Sequence, residues 1–150
     1  MQEVLLYSDG QYNRQRERGG WAACLKTKEG YAKAWEGVIE HGSTAPRLKM
    51  IAIAEGLERL KAPCRVKVFT NLSFLKIVHD GMVKGEKSLE QQKNSDLWRR
   101  IIEAGHVLDF VLYIGHGDTP EQKEMYGAAN FNAFCSNKAG TKDAGYTKPM

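Results

Sequence analysis

Three short runs near the start of the chain, EVLLYSDG (residues 3–10), GWAACLKT (20–27) and YAKAWEGV (31–38), decide how it folds. Each is a short apolar run bounded by turn-forming residues, as expected of a strand. The first ends in Ser-Asp-Gly, which places Asp9 at a strand end. The second and third are separated by Lys28, Glu29 and Gly30, a hairpin-length connection. Gly19-Gly20 reads as a tight turn leading into the second run. It is not a phosphate loop, because a strand follows it. Together these runs predict an antiparallel meander.

Outward from the meander the pattern changes to helices and crossovers. Ser43 and Thr44 can cap a helix whose first turn suits Pro46, and the apolar run from Leu48 to Leu60 follows a helical period. RVKVFT (65–70) alternates as a fourth strand, and LSFLKIVH (72–79) follows as a short helix. Residues 82–93 are polar and irregular. Asn94 or Ser95 can cap the helix in DLWRRIIEAG (96–105), LDFVLYIG (108–115) reads as a fifth strand, and a last helix runs from about Thr119-Pro120 to Phe134. This order predicts an α/β domain over 1–135, a five-stranded mixed sheet with antiparallel strands 1–3 followed by parallel strands 4–5, flanked by helices. Residues 136–150, rich in Gly, Lys and small side chains without an apolar period, are expected as a flexible tail.

At 150 residues the chain has room for one such domain, with a core that needs neither disulfides nor a structural metal. Cys24, Cys64 and Cys135 are widely separated, and no Cys/His spacing suggests zinc. No stretch approaches the roughly 20 apolar residues of a membrane span, and the start lacks the features of a secretory signal, so a cytoplasmic protein without membrane contact is expected. Lys+Arg exceed Asp+Glu by 22 to 18, a mild surplus compatible with a polyanion. The sequence does not specify an oligomeric state.

The first helix carries an anomaly. At about 100° per residue, Arg47, Glu55, Glu58 and Arg59 share one sector of roughly 120° that should face water, while Lys49 falls with Ile53, Gly56, Leu57 and Leu60 toward the sheet. An unpaired buried ammonium costs several kcal/mol. Two readings are open: Lys49 snorkels to solvent from the helix start, or it pairs with a carboxylate at a strand end.

LYSDG (6–10), the following GGW, a helix opening ST-x-x-R (43–47), a strand ending FTN (69–71), KNSDLW (93–98) and YIGHGDTPE (113–121), in this order, resemble the ribonuclease H family over roughly residues 3–134. The resemblance implies that fold and a site in which four carboxylates hold two Mg²⁺ ions to cut the RNA strand of an RNA–DNA hybrid. Laid on this sequence, those positions are Asp9, Lys49, Asn71 and Tyr126, so only Asp9 keeps its carboxylate. His116 matches the family histidine that assists proton transfer or product release. The family quartet carries about −4 and needs divalent cations to coexist; the quartet here sums to about zero and can be neutral without metal. We therefore expect Lys49 to place its ammonium against Asp9, and no cofactor.

The leading expectation is a degenerate, non-catalytic nucleic-acid-binding module, a pseudoenzyme, with Arg14, Arg16 and Arg18 beside Asp9 and Arg47 nearby as a phosphate-tracking patch. The alternative reading of those arginines is a solvated loop with Glu17 interleaved. A second expectation is an active ribonuclease H that uses Mg²⁺ or Mn²⁺ with Asp9, His116 and a substitute ligand such as Asp118. A third is a protein-interaction scaffold. Trp21, Trp35 and Trp98 could stack on bases, but Trp35 and Trp98 read as packing residues, with Trp21 the least certain.

Overall fold

A computed structural model describes residues 1–134 and the backbone of 146–149. Its sheet contains β1 (Gln2–Asn13), β2 (Arg18–Thr27), β3 (Ala32–Glu40), β4 (Cys64–Thr70) and β5 (Val107–Leu112). Four helices flank it: α1 (Ala45–Glu58), α2 (Ser73–Val83), α3 (Ser95–Glu103) and α4 (Pro120–Phe134). The strand order β5-β4-β1-β2-β3 is antiparallel within the meander and parallel across β1, β4 and β5, the architecture expected from the sequence. Of the segment 136–150, expected as a tail, only Tyr146–Pro149 is described; it lies antiparallel along the outer edge of β3 as a short sixth strand, β6. Among the described residues no helix is long and apolar enough to cross a membrane.

Alternation along β1 and β2 divides the core in two. Leu6, Trp21 and Ala23 pack with Leu48, Ile53, Leu57, Trp98 and Ile101 under α1 and α3. Tyr7, Ala22 and Cys24 face Met125 and Ala129 of α4 on the opposite side. Because β2 is covered on both faces, it tolerates only small residues where a helix comes close. A Cβ on Gly20 would run into the Ala129 carbonyl of α4, and one on Gly10 of β1 would run into the backbone of Leu48 in α1. The helix α1 begins as the sequence suggests: Thr44 is the N-cap, its hydroxyl accepting from the Arg47 N–H at 3.2 Å, worth about 1 kcal/mol.

Several local expectations are corrected. Gly19-Gly20 is not a turn but part of β2; the turn is Arg14–Glu17, where Asn13 Oδ1 accepts from the N–H groups of Gln15 and Arg16 and Glu17 takes a positive φ. Trp21 is completely buried and cannot serve as a stacking platform. Glu55, placed in the solvent sector by helical angle, is buried because α3 lies against that side of α1 and supplies Arg100. Asn94 holds the N-cap position of α3 in a left-handed conformation, without a side-chain capping bond. The helix α2 extends to Val83, past the Asp80-Gly81 stop, and 89–91 form a single 3₁₀ turn.

Candidate functional site

The site lies where β4 ends and β1 continues. The register pairs Tyr7 with Phe69, so two residues further on Asn71 lies just past the end of β4 beside Asp9, which is not at a strand end as expected but within β1, still paired with Ala22 of β2. Asp9 is fully buried. Its Oδ1 accepts from the Gly10 N–H at 2.7 Å and from Lys49 Nζ at 2.5 Å. Lys49 retains only 12% side-chain exposure, so it is paired rather than snorkelled, and its carboxylate partner lies within β1. Removing two charges from water is costly, and this pair offsets that cost through mutual attraction in a poorly screened setting. Asp9 Oδ2 is buried with no hydrogen-bond partner.

The other family-matched positions are brought together around this pair. Asn71 Nδ2 donates to the Gly115 carbonyl at 2.8 Å, tying the end of β4 to the loop that carries His116, while Asn71 Oδ1 is buried without a partner. The exposed His116 ring stacks on Tyr126, centroids 3.7 Å apart and planes 25° from parallel. One turn earlier on α4, Gln122 Nε2 donates to the Ser8 carbonyl at 2.6 Å, which seats the helix beside Asp9. Tyr113, at the end of β5, has its phenol pushed well above the ordinary range, first by burial and then by the negative charge of Asp9.

The arginines are distributed differently from the expected patch. Arg14 is exposed at the hairpin tip, and Arg16 beside it donates to the Phe134 carbonyl at 3.2 Å. Arg18 does not belong to the loop: it starts β2, is 4% exposed, and lies 3.6 Å from Glu40. Arg47 is turned toward α3, where both its terminal nitrogens meet Asp96, at 3.0 and 2.6 Å, and Nη1 also donates to Asn94. Asp118 is exposed in the loop before α4. Sequence reasoning missed Gln122 and Tyr113. Gln122 was detectable in principle as a polar residue on the same helical face as Met125 and Ala129; nothing in the sequence marks Tyr113.

The donor set does not fit a pair of divalent cations. Asp9 is the lone carboxylate of the quartet and is already ion-paired, its neighbours are an amide and a phenol, and no group of three or more His, Cys, Asp or Glu suited to a metal occurs among the described residues. Two hard cations require several charged oxygen ligands. What the arrangement offers is a charge-paired carboxylate, two buried acceptors without partners, and a His116–Tyr126 stack between the adjoining loop and α4.

The RNase H family model matches residues 1–126. The chain is 36% identical over 126 residues to a ribonuclease H of Caldicellulosiruptor saccharolyticus, covering 77% of this chain and 86% of that one. It is 31% identical over 134 residues to a ribonuclease H of Novosphingobium aromaticivorans, covering 83% and 92%. Among solved structures it resembles LC9-RNase H1, a type 1 RNase H with the type 2 active-site motif, at TM-score 0.67 and 18% identity over 96% of this chain and 79% of that one. It also resembles the N-terminal RNase H domain of Rv2228c from Mycobacterium tuberculosis, at TM-score 0.60 and 14% identity over 89% and 94%.

Proposed function

This chain belongs to the ribonuclease H family, and from that premise we propose that it is a degenerate member that holds nucleic acid, an RNA–DNA hybrid or another duplex, without cutting it. The observation that carries this reading is Lys49 Nζ seated on Asp9 Oδ1. The ammonium supplies in cis the positive charge that the family draws from metal, and it cannot activate a water. The proposed protein accordingly needs no cofactor. His116, stacked on Tyr126, is then a packing partner with no hydrolytic step to assist. Arg14 and Arg16, on the hairpin that follows Asp9, are the groups proposed to contact phosphates. Burial of Arg18 and engagement of Arg47 with Asp96 leave those two in supporting roles.

A second reading rests on the two orphaned oxygens, Asp9 Oδ2 and Asn71 Oδ1, which accept nothing in the fold. In that reading the protein remains a ribonuclease H that recruits a divalent cation with Asp9 and a substitute ligand such as Asp118. An end-labelled RNA–DNA hybrid incubated with the protein in Mg²⁺ and in Mn²⁺, with bound, free and cut species resolved separately, separates the readings. The expected result is a shifted, uncut hybrid whose affinity falls steeply with salt. Arg14→Ala with Arg16→Ala should lower the salt slope by about 1 for each phosphate that is no longer neutralised. Cleavage abolished by Asp9→Asn would establish the second reading instead. An uncut hybrid with no shifted band would remove nucleic acid altogether and leave the fold as an interaction scaffold.

A further inference from the structure

The last turns of α4 depart from the pattern of a helix with one wet side. Met125, Ala129 and Ala133 are buried against the sheet, so the 3.6-residue period assigns the opposite face to polar residues. That face instead carries Phe131 and Phe134, 55% and 44% exposed. Three residues apart, they are neighbours on the helix surface. Two adjacent aromatic side chains in water contribute little to the fold, and they mark a surface that something covers.

The hairpin between β1 and β2 brings positive charge to the same place. Arg16 Nη1 donates to the Phe134 carbonyl at 3.2 Å, one of the last carbonyls of α4, which have no donor within the helix. This contact holds the hairpin tip, with the exposed Arg14, against the end of α4. Two hydrogen bonds to Asn13 Oδ1 and the positive φ of Glu17 shape the turn that presents both arginines. The carboxylates closest in the fold are engaged elsewhere: Glu17 faces His41 at 3.7 Å, and Glu36 accepts from Asn132. In the other direction, residues 126, 130 and 134 form one row along α4, four residues apart, with a rise of about 12 Å. The row starts at the Tyr126–His116 stack of the site. His116 already occupies Tyr126, so the phenylalanines are the rings left to stack on.

The size of the surface selects its occupant. Two half-exposed phenylalanines offer on the order of 200 Å² of side-chain area, against the roughly 800 Å² per partner that a stable protein interface buries. That is too little for a second copy of the chain, and it matches one or two flat bases. Aromatic rings next to cations are the composition that holds single strands without regard to sequence. We propose that the end of α4 and the β1–β2 hairpin bind an unpaired nucleic-acid strand that extends from the duplex, its bases stacked on Phe131 and Phe134 and its phosphates against Arg14 and Arg16. The inference deepens the nucleic-acid reading and rests on it, and its own failure is separable from the failure of that reading.

The experiment measures fluorescence anisotropy of the full chain with three probes: a blunt RNA–DNA hybrid, the same hybrid extended at one end or the other by about ten unpaired thymidylates, and that thymidylate strand alone. Extension at one of the two ends should tighten binding about tenfold, the effect of stacking a base on an aromatic ring. Phe131→Leu with Phe134→Leu, which keeps apolar bulk on an exposed helix face and removes both rings, should abolish the gain. Tyr31→Ala removes an exposed aromatic from the β2–β3 turn, at the far end of the meander, and should leave the gain intact. Equal affinity for blunt and extended hybrids, or a gain that survives the two leucines, overturns the proposal. A dimer on a sizing column that the two leucines dissociate also overturns it, because the face would then be a contact between copies. If the blunt hybrid binds and the extension adds nothing, the strand site fails and the nucleic-acid reading stands. If the extended hybrid and the free strand bind through the phenylalanines while the blunt hybrid does not, the duplex reading fails alone; binding of none of the probes overturns both.

Discussion

Helix α1 meets opposite charge on two sides, and the two contacts are constructed differently. Toward β1 it makes a single dry pair, Lys49 on a fully buried Asp9 with one carboxylate oxygen left unmet. Toward α3 it makes a wet, multidentate seam: Arg47 on Asp96 near one end, and Arg100 on both Glu55 and Glu58, with Arg59 on Glu55, near the other. In the seam each carboxylate has a guanidinium, and solvent screens what geometry leaves imperfect. The Asp9 pair has neither advantage. A pairing selected for stability alone would resemble the seam; the dry pair retains a carboxylate in a place where burying charge is expensive, which is what the proposed neutralisation of a reaction centre requires.

Breaking the dry pair should therefore have the largest effect. Asp9→Asn strands a mostly buried ammonium and should cost about 3–5 kcal/mol in chemical denaturation. Asp9→Asn combined with Lys49→Met removes both charges and should return most of that loss, since replacing a buried pair with neutral groups is often close to neutral. Equal losses in the single and double variants would mean that the two charges are not coupled.

The next effect concerns metal. Lys49→Glu, Asn71→Asp and Tyr126→Asp together place four carboxylates within β1, just past the end of β4, on α1 and on α4. This variant should be destabilised without divalent cation and regain about 2.7 kcal/mol at a cation concentration a hundredfold above its dissociation constant. The unaltered chain should show no such dependence. Denaturation curves with and without Mg²⁺ read both, and a Mg²⁺-dependent shift in the unaltered chain would revive the reading in which Asp9 Oδ2 and Asn71 Oδ1 hold a cation.

The contrast between the two sides of α1 also explains what could be read from sequence. Strand and helix order followed from local patterns such as RVKVFT and the Thr44 cap, because alternation and capping are short-range effects. Lys49 was legible as a problem, since helical phase puts it among Ile53, Leu57 and Leu60, and the resemblance supplied Asp9 as its partner. Phase misled at Glu55, whose side of α1 is covered by α3, a neighbour more than 40 residues away along the chain. The same limit applies to Arg18 and Gly20. Their positions looked like a loop, because nothing local indicates that β1 and β2 continue past Asp9 to a four-residue turn. Gln122 acquires its meaning only from the Ser8 carbonyl 114 residues before it.

Within the seam, Arg100→Ala should cost about 1–2 kcal/mol, more than an isolated surface pair because Glu55 loses one of its two guanidiniums while remaining buried. Glu58→Ala, which removes the more exposed of the two carboxylates bound to Arg100, should cost less. If the order were reversed, burial would not be what distinguishes the two carboxylates.

The smallest effect should lie at the wet end of the seam and be visible only in acid. Arg47 holds the Asp96 carboxyl below its ordinary value, chiefly through their hydrogen bonds. A carboxyl lowered by folding adds stability above its unfolded value, about 3.9, and that contribution is lost as pH falls through the lower folded value. Asp96→Asn should therefore leave a shallower loss of stability below about pH 4. At neutral pH it should cost no more than about 1 kcal/mol, because the Asp96 side chain is 62% exposed and solvent screens the pair. Denaturant midpoints measured from pH 2 to pH 7 test this directly. An acid limb unchanged by Asp96→Asn would place the acid sensitivity outside the Arg47–Asp96 pair.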